Sequence, residues 1–273
     1  MSSRLHETRP RSIRPHGILR LLISLVTVIG FSTQAAGDDG SPIDLDLYGR
    51  LLEKHTRVVE DLAGTRVDYA SLKKSTDWKH LARQVHDADP GGLEREAKLA
   101  FWINAYNILT IDLIVHHYPI DGIKEIGSFF SPVWDIEVAT IAGRTVSLGE
   151  IEHQILRKMN EPFIHGAIVC ASASCPPLSR TPFRPDHLSE DLADAMRNWL
   201  GNREKGIALD RSSKVIRLSK VFDWFESDFE SRGGVLEAIA DFLPPEDATW
   251  LRQEGRKASI RYFGYDWSLN DLK

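Results

Sequence analysis

The chain has 273 residues, of which 42% are hydrophobic and 27% charged, and carries a formal net charge of −5. This composition is that of a globular protein, long enough for one large domain or two small ones. Its lysines and arginines are scattered through an acidic chain, which argues against nucleic-acid binding.

At the N-terminus Arg4, Arg9, Arg11, Arg14 and Arg20, opposed only by Glu7, precede an apolar run over 21–31 and the small-residue stretch Thr33-Gln34-Ala35. This is the pattern of a secretory signal peptide over 1–35; an uncleaved anchor is the alternative, although the apolar run is short for a bilayer span. Removing it takes five arginines and one glutamate, leaving 29 basic against 38 acidic residues and a formal net charge of −9. No later segment reads as a span, because Asn104, Asn107 and Asp112 interrupt the apolar helix around 108–115. An exported protein, periplasmic or extracellular and without a stable membrane span, is expected.

Residues 42–273 show no repeat, low-complexity run or linker, so one α+β domain is expected, with a core helix packed on a modest antiparallel sheet. Leu45, Leu51, Leu52, Val58 and Leu62 have helical spacing, and Gly64 stands where that helix would stop. Val67-Asp68-Tyr69 reads as extended, and 72–86 as a second helix broken by Asp89-Pro90-Gly91-Gly92. The most hydrophobic stretch, LEREAKLAFWINAYNILTIDLIVHH over 93–117, is apolar on nearly every face and predicts the core helix. Asn104 and Asn107 share one face of it, where an unpaired amide costs on the order of 1–3 kcal/mol. Both therefore need partners.

Two alternating runs around Ala142-Gly143-Arg144 predict a hairpin over 134–148. Ser147 and Glu150 have capping-box spacing for a helix over 148–159, which carries Glu152 and His153. The run Ala167-Ile168-Val169 predicts a buried central strand that opens into the loop CASASCPPL. Helices over 188–200, 221–231 and 235–242 and strands at 207–209, 215–218 and 259–263 complete the pattern. Phe222, Trp224, Phe225 and Phe229 lie at helical spacing, as residues that plug a core do.

Cys170 and Cys175 hold the chemistry, and two readings stay open. They can close a disulfide across the small-residue loop, as an oxidising compartment would allow. Alternatively Cys175 is a thiolate nucleophile, with His165 as base and Asn104 orienting the histidine or donating to an oxyanion. Cys175 is preferred to Cys170 because it lies past the strand end, where exposure is expected. Asn107, Glu152, His153, Tyr106 and Trp267 are the candidates for binding a small-molecule or peptide-like ligand. His116 and His117 belong with the helix C-terminus. HExxH, paired CxxC, calcium-loop, phosphate-loop, dinucleotide and GxSxG patterns are missing from the sequence, so no metal or cofactor is expected.

FWINAYNILTI at 101–111, SLGEIEHQILR at 147–157, HGAIVCASASCPPL at 165–178, LSKVFDWFESDF at 218–229 and YFGYDWSLN at 262–270 together resemble the domain of unknown function 547 family. In plants and animals similar domains occur beside glutaredoxin-like or DEP modules, which implies thiol chemistry. A more distant similarity is to papain-like and transglutaminase-like folds, in which the nucleophilic cysteine starts the core helix. Here that region offers Asn104, so the similarity implies a thiol supplied by Cys175 from the opposite wall, or a relative that only binds. From the Cys/His-bearing segment and the amides of the core helix, the activity expected is thiol-dependent hydrolysis or acyl transfer on a peptide-like or thiol-containing small molecule. Its alternative is a periplasmic binding or scaffold domain in which Cys170 and Cys175 form a structural disulfide.

Overall fold

Helix α1 (Leu45–His55) begins where the Asp44 carboxylate accepts the Leu47 N–H at 2.7 Å. The structure, a computed structural model, describes residues 40–128 and 131–273, so the signal-peptide reading of 1–35 lies outside the described residues. The first helix is shorter than its spacing predicts. Thr56-Arg57-Val58, with two β-branched residues, leaves it as strand β1 (Thr56–Val58), which pairs antiparallel with β2 (Thr65–Val67). Gly64, at φ 71°, serves the turn of this hairpin rather than a helix end. The short α2 (Tyr69–Leu72) and then α3 (Thr76–Asp87), capped by the Ser75 hydroxyl, follow. Trp78 of α3 donates its indole N–H to Asp112 at 2.9 Å and so ties α3 to the core helix.

That helix, α4 (Arg95–His117), is buried along nearly its whole length from Leu99 to Val115. By length and composition it could cross a membrane, but 83% of its apolar window is buried inside the fold, which is the position of a core helix. The hairpin of β3 (Glu137–Ile141) and β4 (Arg144–Ser147) forms as expected, and Ala142 and Gly143 both take the positive φ of a type I′ turn. The capping box also forms: Ser147 and Glu150 exchange side-chain bonds at 3.1 Å as α5 (Leu148–Glu150) begins. From Ile151 to Leu156 the winding widens to a π-helix, then tightens to a 3-10 turn that ends at Asn160 in the left-handed region.

The central strand expected at 167–169 does not form; these residues are buried but irregular. Helix α6 (Leu188–Gly201) packs on the turn before them, and it can do so because position 166 is glycine: a Cβ there would meet Met196 Sδ at 2.6 Å. The remaining sheet has the order β5 (Ile207–Asp210), β6 (Val215–Leu218), β7 (Ser259–Tyr262). Its first pair is antiparallel and its second parallel, the latter because β7 returns after the helices α7 (Lys220–Trp224), α8 (Val235–Ala240) and α9 (Pro245–Glu254). The predicted helix over 221–231 breaks at Phe225 and continues as a 3-10 helix, Glu226–Arg232.

The fold is α+β, and the described residues form three small sheets and more helix than strand. Two apolar clusters fill it. One surrounds α4 with residues of α1, α3 and the β3–β4 hairpin; the other joins Trp199 of α6 to Phe222, Phe229 and the three-stranded sheet. Phe163 touches both clusters, one residue before the segment that carries His165 and the cysteines.

Candidate functional site

The two asparagines of α4 have the partners that their burial demands. The Asn107 side chain donates to the Ala167 carbonyl at 2.9 Å and accepts the Val169 N–H at 2.9 Å. Asn104 treats Phe183 likewise, donating to its carbonyl at 2.7 Å and accepting its N–H at 3.0 Å. Each amide thus supplies the donor and acceptor that a neighbouring strand would have offered, which is why 167–169 is buried without strand pairing. Asn104 therefore faces the 183 segment, away from the cysteines.

Beyond Val169 the loop is stitched to the C-terminal tail. Ala171 takes φ 61°; its carbonyl accepts from the Asn270 N–H at 2.9 Å, and the Ala173 N–H reaches the Ser268 carbonyl at 2.8 Å. Asp266 N–H donates to the Ser174 hydroxyl at 2.9 Å. From below, the buried Lys205 ammonium donates to the carbonyls of Ala63, Ala173 and Cys175. Among the described residues no carboxylate bonds this ammonium, and burial pushes its pKa down to about 7 against a smaller upward pull from Asp61.

Inside this frame the sulfurs of Cys170 and Cys175 are joined, with the Cα atoms 6.2 Å apart. Their exposure is the reverse of the expectation: Cys170 is half-buried and Cys175 is 5% exposed. The reason is the pull of Lys205 and Asp266 on the returning half of the loop, which folds the second cysteine inward. The Cys170 N–H points at Cys175 Sγ at 2.9 Å. The Tyr265 hydroxyl accepts from Ser172 at 3.1 Å and donates to Cys175 Sγ at 3.3 Å.

The joined sulfurs lie at a cavity of about 320 Å³. One wall is aromatic: Trp267 lies 4.5 Å from Tyr265, 5.8 Å from Trp224 and 6.4 Å from Trp134, ring centre to ring centre. Lys124 sits at that wall with its ammonium 3.5 Å over the Trp267 ring. The opposite wall carries Tyr106, Glu152, His153 and His165. Burial raises the Glu152 carboxyl to about 7, against the charge of Arg157 and a 3.4 Å bond from the Tyr106 hydroxyl. Desolvation and Arg157 lower His153.

His165 is almost fully buried, its ring stacked on Phe225 at 4.2 Å and its Nε2 2.8 Å from Asp228 Oδ2. Asp228 also takes two bonds from Arg157, both at 2.6 Å. Burial alone would raise Asp228, but Arg157 and His165 hold it far below the usual carboxylate range, so it stays ionised and accepts. Nε2 of His165 must then carry the proton. Burial lowers the histidine pKa more than Asp228 raises it, so the neutral ring keeps a lone pair on Nδ1.

Six of the residues singled out in the sequence, Cys175, His165, Glu152, His153, Tyr106 and Trp267, line this one cavity. Asn104 and Asn107 do not; both are backbone clips behind it. Cys170, Tyr265, Trp224, Trp134 and Lys124 line it too, together with the apolar side chains of Ile168, Pro176, Val221 and Phe225, and Asp228 and Arg157 are set behind His165. The aromatic residues of 220–229 and of the tail gave the only signal for that wall, and nothing in the sequence distinguishes Asp228 from its acidic neighbours. Among the described residues no group of three or more His, Cys, Asp or Glu side chains is arranged to hold a metal ion.

A family model described as "Protein of unknown function, DUF547" matches residues 90–200. The match spans α4, the β3–β4 hairpin, the π-helical segment, the CASASC loop and nearly all of α6, and the likeness to that family is shown over this stretch. The Trp224 and Tyr265–Trp267 parts of the cavity lie beyond it. No curated protein and no solved structure matches the chain.

Proposed function

We propose that this protein, with its DUF547 likeness over 90–200, exchanges thiols and disulfides with a small organic ligand at the Cys170–Cys175 pair. The observation that carries this reading is the asymmetry of the two sulfurs: Cys170 is the more open one, while Cys175 is buried with the Cys170 N–H aimed at its Sγ; a second donor, the Tyr265 hydroxyl, lies beside both sulfurs, 3.2 Å from Cys170 Sγ and 3.3 Å from Cys175 Sγ. A ligand thiolate attacks Cys170 Sγ, the sulfur–sulfur bond breaks, and its electron pair leaves on Cys175, where both donors stabilise the charge. The proton of the incoming thiol goes to Glu152, whose pKa of about 7 suits proton transfer near neutral pH. A second ligand thiolate then attacks the ligand sulfur of the mixed disulfide and displaces Cys170 as a thiolate. Two thiols have become one ligand disulfide and the protein pair is reduced; a ligand disulfide drives the same steps backwards.

Thiol-dependent acyl transfer is the second reading, and the His165–Asp228 pair favours it because it fixes one tautomer of a neutral base. It requires the reduced protein, with Cys175 attacking and His165 taking its proton. Both readings fit export through the N-terminal segment, since a joined pair persists in an oxidising compartment.

The test is a titration of the folded protein in thiol buffers of stepped potential, with alkylation and intact-mass analysis at each step. Exchange predicts a reversible transition of both cysteines with the circular dichroism unchanged. A pair that resists excess dithiothreitol until denaturant is added is a structural clasp, and the proposal fails. Turnover of a thioester or peptide-like substrate by the reduced protein, abolished in His165→Ala, moves the assignment to acyl transfer.

A further inference from the structure

We infer that the cavity selects small thiols and disulfides that carry a carboxylate, and that Lys124 is the residue that reads it. The inference rests on the exchange reading and adds the class of ligand. A volume of about 320 Å³ lies at the lower end of small-molecule sites, which suits a ligand of a few carbons rather than a folded protein surface.

The charges in the cavity favour one kind of end group. Lys124 has no carboxylate partner among the described residues; its ammonium is held only over the Trp267 ring. His153 and His165 are both pushed toward their neutral forms, and burial pushes the Glu152 carboxyl toward its protonated form. Asp228 is neutralised by Arg157 behind the wall. Lys124 is the one lysine or arginine among the described residues that line the cavity, and its ammonium is seated over the Trp267 ring, so an arriving carboxylate pairs with it there. An ammonium-bearing ligand meets repulsion at the same point. The carbon skeleton of the ligand packs on Trp267, Trp224 and Tyr265; Trp224 is 43% exposed at this wall, a large ring left uncovered in the free protein.

The experiment measures the rate of reduction of the folded, oxidised protein by 3-mercaptopropionate, 2-mercaptoethanol and cysteamine, each expressed per thiolate. The carboxylate thiol is expected to react about fivefold faster than the neutral one, and the ammonium thiol slower than both. Lys124→Arg keeps the order, Lys124→Gln levels it and Lys124→Glu reverses it. Equal rates in the unaltered protein, or an order that Lys124→Gln leaves unchanged, overturn the selectivity while leaving exchange intact. Failure of all three thiols to reduce the folded protein contradicts exchange itself and removes the inference with it.

Discussion

The phenol of Tyr265 donates to Cys175 Sγ at 3.3 Å while accepting from Ser172, so the tail of the chain supplies a donor to a sulfur ninety residues earlier. In the reduced protein the same donor faces a thiolate. Tyr265→Phe keeps the ring against Trp267 and removes the donor. It is expected to raise the Cys175 thiol pKa by roughly one unit, as the loss of one bond to a charged group implies. Thiolate absorbance against pH in a Cys170→Ser background checks it; an unchanged curve means that the phenol only packs.

Asn107 replaces a missing strand, and its removal tests that directly. Asn107→Ala leaves the Ala167 carbonyl and the Val169 N–H buried without partners, a cost on the order of 2–4 kcal/mol. Urea unfolding is the measurement. Asn104→Ala is expected to cost a similar amount through Phe183. A loss of activity without a loss of stability in Asn104→Ala would restore the catalytic role that the sequence suggested for it.

Lys205 bonds three buried carbonyls, two of them in the cysteine loop. Lys205→Met leaves all three without a donor, a cost on the order of 2–4 kcal/mol. At about 2–4 °C per kcal/mol for a chain of this size, the melting temperature falls by roughly 5–15 °C. Scanning calorimetry reads the change, and amide exchange in 170–175 is expected to quicken.

Glu152 gives stability a pH dependence whose sign follows from its shift. Its folded pKa of about 7 lies above the ordinary 4.5, so its contribution is fully present below the ordinary value and is lost as pH rises through 7. His165, lowered from 6.5 by burial, acts in the opposite sense and costs stability as pH falls below its ordinary value. Glu152→Gln is therefore expected to raise the melting temperature at pH 8–9 relative to the unaltered protein, by a few degrees, and to change it little at pH 4. Equal effects at both values mean that the carboxyl is not shifted.

Much of this fold was legible where the signal was local. The uniform apolarity of α4, the Ala142-Gly143 turn and the Ser147–Glu150 box each needed only neighbours in sequence, and each formed as expected. The demand that Asn104 and Asn107 find partners was also legible, but not their identity: an isolated apolar run reads as a strand, and only the fold brings an amide from α4 to do the pairing. The exposures of Cys170 and Cys175 were reversed for a similar reason, since Lys205 and Asp266 reach the loop from 30 and more residues away. His165 and Glu152 were found as titratable residues near the loop. Asp228 was not, because the break at Phe225 decides which acid of FESDF turns toward His165.

The central claim is that Cys170 receives the incoming thiol and Cys175 leaves. The most direct measurement is to trap the mixed disulfide in the folded Cys175→Ser and Cys170→Ser proteins with the disulfide of 3-mercaptopropionate, then map the modified residue by peptide mass. The account predicts rapid, reversible modification of Cys170 in the first protein, and slow modification of the buried Cys175 in the second. Preferential modification of Cys175, or adducts that form only after unfolding, would contradict it.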